Sequence, residues 1–560
     1  MKRDIGRLRS DTFDLLVIGG GIYGVTIARA AALRGLRVAL IEQGDIGHAT
    51  SANSQKVIHG GLRYLQHLNL KRMRESIVTR RRLLRLAPHL LRVQPFLIPT
   101  HGHGILGKES MAIALKLNDL ISWDRNRAVQ ESQQLPAGRI LSKGETLEIM
   151  KGVVEDDLTG GALWYDCIVK NTERLTFSFL LAAVEHGACA ANYVRAEKYL
   201  VSNNAIHGVQ VTDLESSTAL EIHAQLVVDA TGPWVNRLGD NLPDVDMKIP
   251  RTGWAKAWNL VINRRIFGDY AVGLASGQPQ ADADAVIQKG DRYLFFVPWR
   301  EGTLVGTSYE LFDGAPDACK IERRDVAATL EDVNRTYPQA NLSSADVTFS
   351  HTGILPCDYD AQYSHGDLNL KKQRQIVDYA MHGGPEGVVA VLGVKYTTAV
   401  SVADEVADLA MTKLGRVAEK EIPDPPLPGG ERTGEADPSG QAQGIGATNR
   451  TIALDHLKGQ YGSRHTVILE YARENTRHLE SVSSNTTTTV AEVLHAVREE
   501  MAQTLSDVVL RRTELGTLAY PGDRAIERCA DIMSHELGWD RKKKMDQIDD
   551  VMQAYELRDN

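Results

Sequence analysis

Apolar runs that end in glycine alternate with helical patterns in the first part of the chain. The stretch "DLLVIGG" (14–20) is a short, continuous apolar run, which is typical of a buried parallel strand. The stretch "IYGVTIARAAALRG" (22–35) has helical spacing and ends in glycine, a residue common at helix C-termini. A second apolar run, "LRVALIEQ", follows at 36–43. Together they predict a strand–helix–strand unit at the beginning of the chain.

Two later apolar runs have the same character, although they lie far away along the chain. The runs "AQLVVDATG" (224–232) and "GVVAVLG" (387–393) both end in glycine, and a helical pattern follows at 397–415. Between 236 and 350, the segments "AWNLVINR", "DRYLFFVPWR" and "GTLVGTSYE" predict a mostly antiparallel sheet. We therefore predict one parallel sheet with long insertions, one of which forms a second domain on the substrate side.

The pattern changes again beyond residue 420. Residues 422–450 are rich in Pro, Gly and polar side chains, which is typical of a linker. The segments 491–516 and 530–557 have apolar positions at helical spacing. They predict a small α-helical domain in the C-terminal part of the chain.

Composition narrows the class of protein. The chain has 560 residues, 43% of them hydrophobic, which is enough for about three domains. A net charge of −8 gives no indication of a nucleic-acid partner. Five cysteines without a CxxC pair argue against a metal site or a disulfide framework and fit a reducing compartment. Without a secretory signal or a run of about eighteen apolar residues, we expect a cytoplasmic protein with no membrane-spanning helix.

The first strand leads into "GGGIYG", which contains GxGxxG at Gly19, Gly21 and Gly24. In this pattern the glycines permit a tight turn, the approach of a pyrophosphate and close packing of helix on strand. Free N–H groups at the helix N-terminus then bind the diphosphate. Glu42 ends the second strand, where a carboxylate accepts ribose hydroxyls and repels a 2′-phosphate. These residues predict a site for NAD or FAD rather than NADP.

The later strands favour FAD over NAD. The stretch "DATGPW" places a small turn, at Thr231 and Gly232, against the nucleotide from the other side of the sheet. The third strand ends at Gly393, and Thr397 opens a helix whose N-terminus would stabilise negative charge on reduced flavin. The predicted fold class is α/β: a Rossmann-like FAD-binding domain, an inserted, mostly antiparallel substrate domain and an α-helical C-terminal domain.

Domain boundaries are predicted where the pattern changes. The FAD-binding domain is expected to be discontinuous, because its strands are far apart along the chain. The predicted ranges are 12–90, 150–235 and 350–420 for the FAD-binding domain, 91–149 and 236–349 for the substrate domain, 421–450 for the linker and 451–560 for the helical domain.

Eight stretches are similar to one group of flavoproteins. They are "DLLVIGGGIYG", "HATSANSQKVIHGGLRYL", "APHLL", "VVDATGPWVN", "FVPW…GT", "KYTT" (395–398), "LPGG" and "LSDVVLRRTELG". They occur in family order and extend over nearly the whole chain, and "IHGGLRYL" is the most specific of them. The chain resembles the FAD-dependent glycerol-3-phosphate dehydrogenase and oxidase family, within the wider D-amino-acid-oxidase-like flavoproteins.

This resemblance implies hydride transfer from a secondary alcohol carbon to flavin N5, with glycerol 3-phosphate oxidised to dihydroxyacetone phosphate. It implies that a loop lines the flavin phosphates and ring through Thr50, Ser51 and Ser54. It places three further residues beside the substrate: Arg63, Tyr64 and Lys395. Quinone or O₂ would accept the electrons. Peripheral association with the inner face of the membrane and a homodimer are further expectations.

The chain departs from the family at the substrate site. Asn259 stands where the resemblance predicts a His that accepts the hydroxyl proton, and a neutral amide cannot act as that base. Leu355 and Val400 stand where Arg residues are expected, and Tyr309 where an Asp is expected. Loss of an Arg removes a bidentate contact to phosphate or carboxylate. These changes leave open a different small alcohol, or an amine, as the substrate.

A third interpretation belongs to another class of protein. The chain would bind flavin without catalysis and serve as a partner of other proteins. The retained Arg63, Tyr64 and Lys395 argue against it, because such a protein has no chemical need for them.

Two histidines of the "HATSANSQKVIHGGLRYL" loop have different predicted roles. Distant relatives that attach FAD covalently use a His followed by Ala-Ala on this loop, and the "HAT" at His48 is similar. His48 would then bond the flavin 8α-methyl group. The alternative is a polar loop side chain that contacts FAD or water. His59 is predicted to order the loop rather than to act as a base.

Residues 62–92 carry nine Arg or Lys side chains and one acid, Glu75, with apolar positions at helical spacing. Basic amphipathic helices can lie on anionic membranes, which gives one hypothesis for this segment. The alternative, which we favour, is a solvated helix face packed on the sheet.

Overall fold

A computed structural model describes residues 1–104, 107–239, 242, 252–279, 291–358, 368–417, 422–431 and 447–556. Its strands are β1 (Thr12–Ile18), β2 (Val38–Ile41), β3 (Val57–Ile58), β4 (Leu91–His101), β5 (Arg139–Ser142), β6 (Leu158–Val169), β7 (Cys189–Ala191), β8 (Val194–Ser202), β9 (Ala205–Asp213), β10 (Thr218–Asp229), β11 (Gly253–Ile262), β12 (Ala271–Pro279), β13 (Asp291–Trp299), β14 (Gly302–Phe312), β15 (Val347–Cys357), β16 (Gln375–Asp378) and β17 (Val388–Leu392). Its α-helices are α1 (Ile5–Ser10), α2 (Ile22–Leu33), α3 (Leu70–Leu86), α4 (Lys108–Ile121), α5 (Lys143–Ile149), α6 (Thr172–Glu185), α7 (Val235–Gly239), α8 (Arg323–Thr336), α9 (Ala399–Lys413), α10 (Ala447–Tyr461), α11 (His465–Glu470), α12 (Val490–Glu499), α13 (Leu505–Asp507), α14 (Asp523–Leu537) and α15 (Arg541–Gln553).

The first sheet is built around the strands that end in glycine. Its order is β16-β17-β10-β1-β2-β7, with β9 paired to β10 and β8 to β9. The pairs β1–β2, β1–β10, β10–β17 and β2–β7 are parallel. In β1 every residue after the first is buried, because helices α2, α6 and α9 cover one face and an apolar cluster covers the other. The prediction that three distant strands share one parallel sheet is confirmed.

The second sheet contains the strands predicted for the insertion. Its order is β15-β11-β14-β13-β12-β4-β6-β3, with β5 beside β6, and all pairs but β4–β12 are antiparallel. Three of its strands, β3, β6 and β15, fall wholly or largely within ranges predicted for the FAD-binding domain. Apolar patterns mark a strand but not its partner, so the long β4–β6 and β11–β15 pairings were not foreseen.

The C-terminal helices α10 to α15 enclose a hydrophobic core of their own. The helical pattern over 491–516 is interrupted in the structure. Helix α12 ends at Glu499, and Thr504 then caps a new turn by accepting a hydrogen bond from the backbone N–H of Asp507. A π-helical turn, Val508–Arg512, completes the segment. The pattern over 530–557 is likewise divided, because Gly538 adopts φ +69° between α14 and α15.

Part of the predicted linker is held against the first sheet. Asp424 accepts hydrogen bonds from Arg29 of α2 and Arg82 of α3. Residues 432–446 of that linker lie outside the described residues. Among the described helices, none combines the length and the apolar character needed to cross a bilayer.

Candidate functional site

A cavity of about 310 Å³ opens where the carboxyl ends of the first sheet face the second sheet. Ligand sites of open α/β sheets lie at this position. Its wall includes most residues predicted to bind the cofactor: Gly19, Gly21, Glu42, His48, Thr50, Ser51, Ser54, Thr231, Gly232 and Gly393. The wall also includes Asn259, Leu355 and Lys395. The predicted cofactor and substrate residues therefore meet in one space.

The glycine turn brings β1, β10 and α2 into close contact. Gly19 has φ +108°, and a β-carbon there would lie 2.5 Å from the Ala230 carbonyl oxygen. A β-carbon on Gly24 would lie 1.8 Å from the Gly19 carbonyl oxygen. Gly21 is the N-cap residue of α2, and a β-carbon there would lie 3.2 Å from Ser51 Oγ. The glycines thus keep the backbone at the helix N-terminus open to a ligand.

Glu42 is fixed at the end of β2 by two backbone donors. Its Oε2 accepts from the Gly20 N–H at 2.6 Å, and its Oε1 accepts from the Gly44 N–H at 2.8 Å. The side chain is buried and lines the cavity. A carboxylate oxygen has two lone pairs, so each oxygen retains capacity for a hydroxyl donor.

The loop that follows Glu42 makes several contacts with the protein. His48 Nδ1 lies 2.8 Å from the Asp45 carbonyl oxygen and 3.6 Å from Glu42 Oε1. Thr50 Oγ1 pairs with both the N–H and the carbonyl oxygen of Ile354, at 3.1 Å each. Ser51 Oγ accepts from the N–H of Ile22, the first residue of α2, at 2.8 Å. The loop therefore links the glycine turn to β15.

Ser54 and Thr231 form hydrogen bonds within their own turns. Ser54 Oγ accepts from the Lys56 N–H at 3.2 Å. Asp229 Oδ1 accepts from the N–H of Thr231 at 3.1 Å and from its Oγ1 at 2.6 Å. Burial raises the pKa of Asp229 to about 6, although these hydrogen bonds oppose the shift. Asp229 was not singled out from the sequence, although it is the first letter of "DATGPW".

The end of β17 closes the cavity from the third strand. A β-carbon on Gly393 would lie 1.9 Å from Cε2 of Tyr23, so only glycine fits there. Tyr23 Oη donates to the Lys395 carbonyl oxygen at 2.7 Å and accepts from the Lys395 N–H at 3.2 Å. Tyr23 thus connects the glycine motif to the lysine. Sequence reasoning missed this role, which only the "Y" of "GGGIYG" could have indicated. Thr397 is buried, does not line the cavity, and precedes a helix that begins at Ala399.

The second sheet contributes a neutral wall to the cavity. Asn259, on β11, is buried, and its Oδ1 accepts from Thr307 Oγ1 at 2.8 Å. Leu355 of β15 lies on the same wall. Val400 and Tyr309, the other two departures, do not line the cavity. Of the four departures from the family, only Asn259 and Leu355 therefore line the cavity.

Lys395 is the cation on the opposite wall. Its Nζ donates to Tyr64 Oη and lies 4.3 Å from the centre of the Tyr64 ring. Burial, together with the positive charge of Arg63, lowers the pKa of Lys395 to about 8. Arg63 is exposed, and neither it nor Tyr64 lines the cavity. That both lie beside the substrate stays a prediction: the turn Leu62–His67 lies behind Lys395, where Tyr64 contacts Nζ and the charge of Arg63 acts on the lysine.

Comparisons with known proteins decide the family. A family model described as FAD dependent oxidoreductase matches residues 14–409, and one described as the C-terminal domain of alpha-glycerophosphate oxidase matches residues 424–544. The chain belongs to the FAD-dependent oxidoreductase family. A glycerol-3-phosphate dehydrogenase from Synechocystis sp. is 30% identical over 99% of this chain and 97% of its own length. An aerobic glycerol-3-phosphate dehydrogenase from Bacillus subtilis is 26% identical over 95% of this chain and 93% of its own.

A solved structure confirms the fold of this flavoprotein. It is the glycerol-3-phosphate dehydrogenase from Bacillus halodurans complexed with FAD, with a TM-score of 0.74 and 21% identity, and the match covers 98% of this chain and 96% of that one. The predicted fold class, the cofactor FAD and the oxidoreductase class are confirmed. The enzyme acts on a small molecule, as the family does.

The residues present fit FAD. The glycine turn holds open a helix N-terminus that suits a diphosphate, and the fixed carboxylate of Glu42 suits ribose hydroxyls. At the other end, Gly393 lines the cavity just beyond β17, packed against the ring of Tyr23. One continuous wall thus runs from a nucleotide-binding motif to the half-buried Lys395.

His59 does not belong to this wall. Burial and the nearby charges of Lys395 and Arg80 lower its pKa to about 3. Its ring lies edge-on to Tyr64, with 6.0 Å between the ring centres. This geometry agrees with the predicted role in ordering the loop.

Four arginines of the basic segment 62–92 are paired with carboxylates of the protein. Arg74 and Arg81 of α3 both pair with Asp124, and Arg80 pairs with Asp166. Arg82 pairs with two further carboxylates, Asp404 and Asp424. These ion pairs support the favoured interpretation, a helix packed on the protein, and binding of this helix to a membrane stays a hypothesis.

Proposed function

We propose that this flavoprotein oxidises the secondary alcohol of a small substrate, with glycerol 3-phosphate as the first candidate. The observation that carries the proposal is the position of Lys395, on the wall of the same cavity as the glycine turn and Glu42. FAD, when bound, supplies the acceptor for the hydride that leaves the alcohol carbon. The chain's own residues bind and orient the alcohol and accept its hydroxyl proton.

We propose that Lys395 is the base that takes this proton. Asn259 cannot take it, because an amide has no useful basicity. A pKa of about 8 leaves part of the lysine population neutral near pH 7, and the neutral amine can accept a proton. Tyr64, hydrogen-bonded to Nζ, orients the amine. The products are a carbonyl compound and a protonated lysine, and the hydride, which carries both electrons, would pass to the cofactor.

The substrate class depends on whether the cavity binds a phosphate group. The relatives named above are glycerol-3-phosphate dehydrogenases, which supports glycerol 3-phosphate. Leu355 supports the second candidate, a less anionic alcohol or an amine, because it puts an apolar side chain where a cation is expected. Arg237 is a cavity-lining cation that a phosphate would contact.

An anaerobic titration distinguishes these candidates. Glycerol 3-phosphate is added to the yellow protein, and the visible band of oxidised flavin is followed. Bleaching supports the first candidate, and bleaching only by other alcohols or amines supports the second. If no compound bleaches the band while dithionite does, the protein is an inactive flavin-binding partner and the proposal is wrong.

For the cofactor, we propose that Glu42 binds the adenosine ribose and that Gly21 and Ser51 border the diphosphate. Thr231, Gly232 and Gly393 would form the opposite face. The contacts of His48 with Asp45 and Glu42 support an ordering role near the ribose rather than a covalent bond to the flavin. Acid precipitation tests this: flavin that stays with the protein would establish the bond.

For localisation, we propose a cytoplasmic protein that lies on the inner face of the membrane and reduces quinone. The supporting observation is an exposed apolar stripe on α4, formed by Ile113, Leu117 and Leu120 and continued by Trp123. These residues are 44–73% exposed, and Lys116 lies beside them on the helix. An aromatic ring and a lysine at the edge of an apolar stripe are typical of an interfacial helix.

A further inference from the structure

The C-terminal domain reaches the cofactor loop through two consecutive arginines. Arg511 and Arg512 end the π-helical turn Val508–Arg512, inside the motif "LSDVVLRRTELG". Such turns are rare and often occur at functional sites. Both side chains are directed out of the helical domain and onto one carboxylate of the FAD-binding domain, that of Asp45.

Asp45 is completely buried and surrounded by donors. Arg512 binds it bidentately, with Nη1–Oδ2 and Nη2–Oδ1 distances of 2.7 Å each. Arg511 Nε donates to Oδ2 at 2.6 Å, and Asn192 Nδ2 donates to Oδ1 at 3.0 Å. The two guanidinium groups keep the pKa of Asp45 well below its usual range in spite of burial. The carboxylate is therefore charged, and a buried charge of this kind needs its partners.

Arg511 also pairs with a carboxylate of its own domain, that of Asp507. Arg511 Nη2 donates to Asp507 Oδ1 at 2.6 Å, and Tyr193 Oη donates to the same oxygen at 2.7 Å. Two cations thus face two carboxylates, one from each domain. Because the network is balanced and buried, its geometry is rigid.

Asp45 lies within the loop that carries the cofactor residues. Its carbonyl oxygen accepts from the His48 N–H at 3.1 Å and faces His48 Nδ1 at 2.8 Å. One residue earlier, the Gly44 N–H donates to Glu42 Oε1. The backbone on both sides of Asp45 therefore holds the two side chains that line the ribose end of the cavity.

We infer that Arg511 and Arg512 are positioning residues for FAD, through which the C-terminal domain completes the cofactor site. Without them the Asp45 turn loses its anchor, and the carboxylate of Glu42 loses its fixed orientation. The helical domain is then part of the FAD site, although none of its residues lines the described cavity.

The test compares two arginines of the same domain. Arg512→Gln removes the bidentate pair, whereas the control Arg498→Gln removes an ion pair with Glu474 and Glu536 that stays within the helical domain. FAD is removed, and the dissociation constant for FAD is measured by fluorescence, together with the thermal midpoint of the apoprotein. We expect Arg512→Gln to raise the dissociation constant about tenfold or more, and Arg498→Gln to change it less than about twofold.

A double variant separates positioning from a plain loss of stability. Asp45→Asn combined with Arg512→Gln also removes the buried carboxylate that has lost its bidentate partner, so the thermal midpoint of the apoprotein should recover in part. We expect FAD binding to remain about tenfold weaker. Wild-type affinity in the double variant, or in Arg512→Gln itself, would overturn the inference. If Arg512→Gln or the double variant fails to fold, Arg512→Lys replaces it, because lysine keeps the charge but not the bidentate geometry. Wild-type FAD affinity in Arg512→Lys would likewise overturn the inference.

Discussion

Single residues set the chemistry of the cavity through their charge. Asn259 and Leu355 make the second-sheet wall neutral, while Lys395 brings an amine to the opposite wall. The amine is poised for proton transfer because burial and Arg63 disfavour its charged form. In the proposed mechanism, one lysine therefore takes the role that the family resemblance assigns to a histidine.

Replacing Lys395 tests this assignment. Lys395→Met should keep FAD bound and slow anaerobic flavin reduction by roughly 100- to 10,000-fold, the range of a lost general base. Because only the neutral amine accepts a proton, the wild-type rate should fall as pH drops below about 8 and level off above it. Stopped-flow absorbance over a pH series measures both effects.

Lys395→Arg is the matched control. Arginine keeps the positive charge but does not lose its proton in proteins. If the lysine served only to attract an anionic substrate, this variant would keep most of the reduction rate. We expect it to be as slow as Lys395→Met and to show a flat pH profile.

Glu42 gives a second prediction at this scale. Glu42→Ala removes an acceptor for two backbone N–H groups and, in the proposed site, for the ribose. Hydrogen bonds to a charged group contribute about 1.5–3 kcal/mol, so FAD should bind roughly ten- to a hundredfold more weakly. Fluorescence titration of the apoprotein measures this. Glu42→Gln keeps one acceptor oxygen and should therefore lose less FAD affinity than Glu42→Ala. Equal FAD affinity in the wild type and both variants would show that Glu42 does not bind the cofactor.

At the scale of elements, the site depends on how closely α2 approaches the turn before it. The helix backbone can pack this closely because Gly19, Gly21 and Gly24 have no side chains that would collide with their neighbours. Ser51 then caps the first turn of α2 from a different segment, so the helix and the loop are ordered together. The N-terminus of α2 and the loop thus form one structural unit.

Gly24→Ala should break this unit. A β-carbon 1.8 Å from the Gly19 carbonyl oxygen forces the backbone to move, with a cost of about 1–3 kcal/mol for overpacking. We expect a lower thermal midpoint and loss of FAD during purification. Gly144→Ala is the control, because its added carbon meets nothing within 4 Å in helix α5. A Gly24→Ala protein that retains FAD as the wild type does would contradict this account.

At the scale of the whole molecule, the apolar stripe on α4 lies on the outside of the second sheet. Helix α4 packs through Leu115, which is buried, and leaves the stripe exposed. Four arginines of the adjacent basic helix α3, Arg74, Arg80, Arg81 and Arg82, are paired with carboxylates and contribute little free charge. Any membrane contact should therefore depend on apolar insertion more than on salt.

Vesicle flotation tests this contact. We expect the protein to float with anionic phospholipid vesicles, and the double variant Leu117→Ser, Leu120→Ser to lose at least about half of the bound fraction. Met381→Ser, at an exposed apolar residue of the first-sheet domain, is the control. No flotation of the wild type would contradict the proposal. If the double variant changed its oligomeric state and not its vesicle binding, the stripe would be a contact with a second copy of the chain.

The sequence predicted the cofactor end of the site more fully than the substrate end. Gly19, Gly24 and Glu42 belong to a short motif whose geometry is local, because strand, turn and helix are consecutive. Tyr23 and Asp45 were missed, because their partners Lys395 and Arg512 lie hundreds of residues away along the chain. Asp229 was missed although its partner Thr231 belongs to the same short motif. Arg63 and Tyr64, predicted to lie beside the substrate, interact with the cavity-lining Lys395.

The sequence by itself determined the strands that end in glycine, the nucleotide motif and therefore the flavin class of this protein. These depend on hydrophobic periodicity and on backbone space at a few glycines, and both are readable over short windows. Tertiary structure alone decided the pairing of β6 and β15 with the second sheet, the pKa of Lys395 and the junction of Asp45 with two distant arginines. Burial and charge pairing arise between segments hundreds of residues apart, so no local pattern contains them.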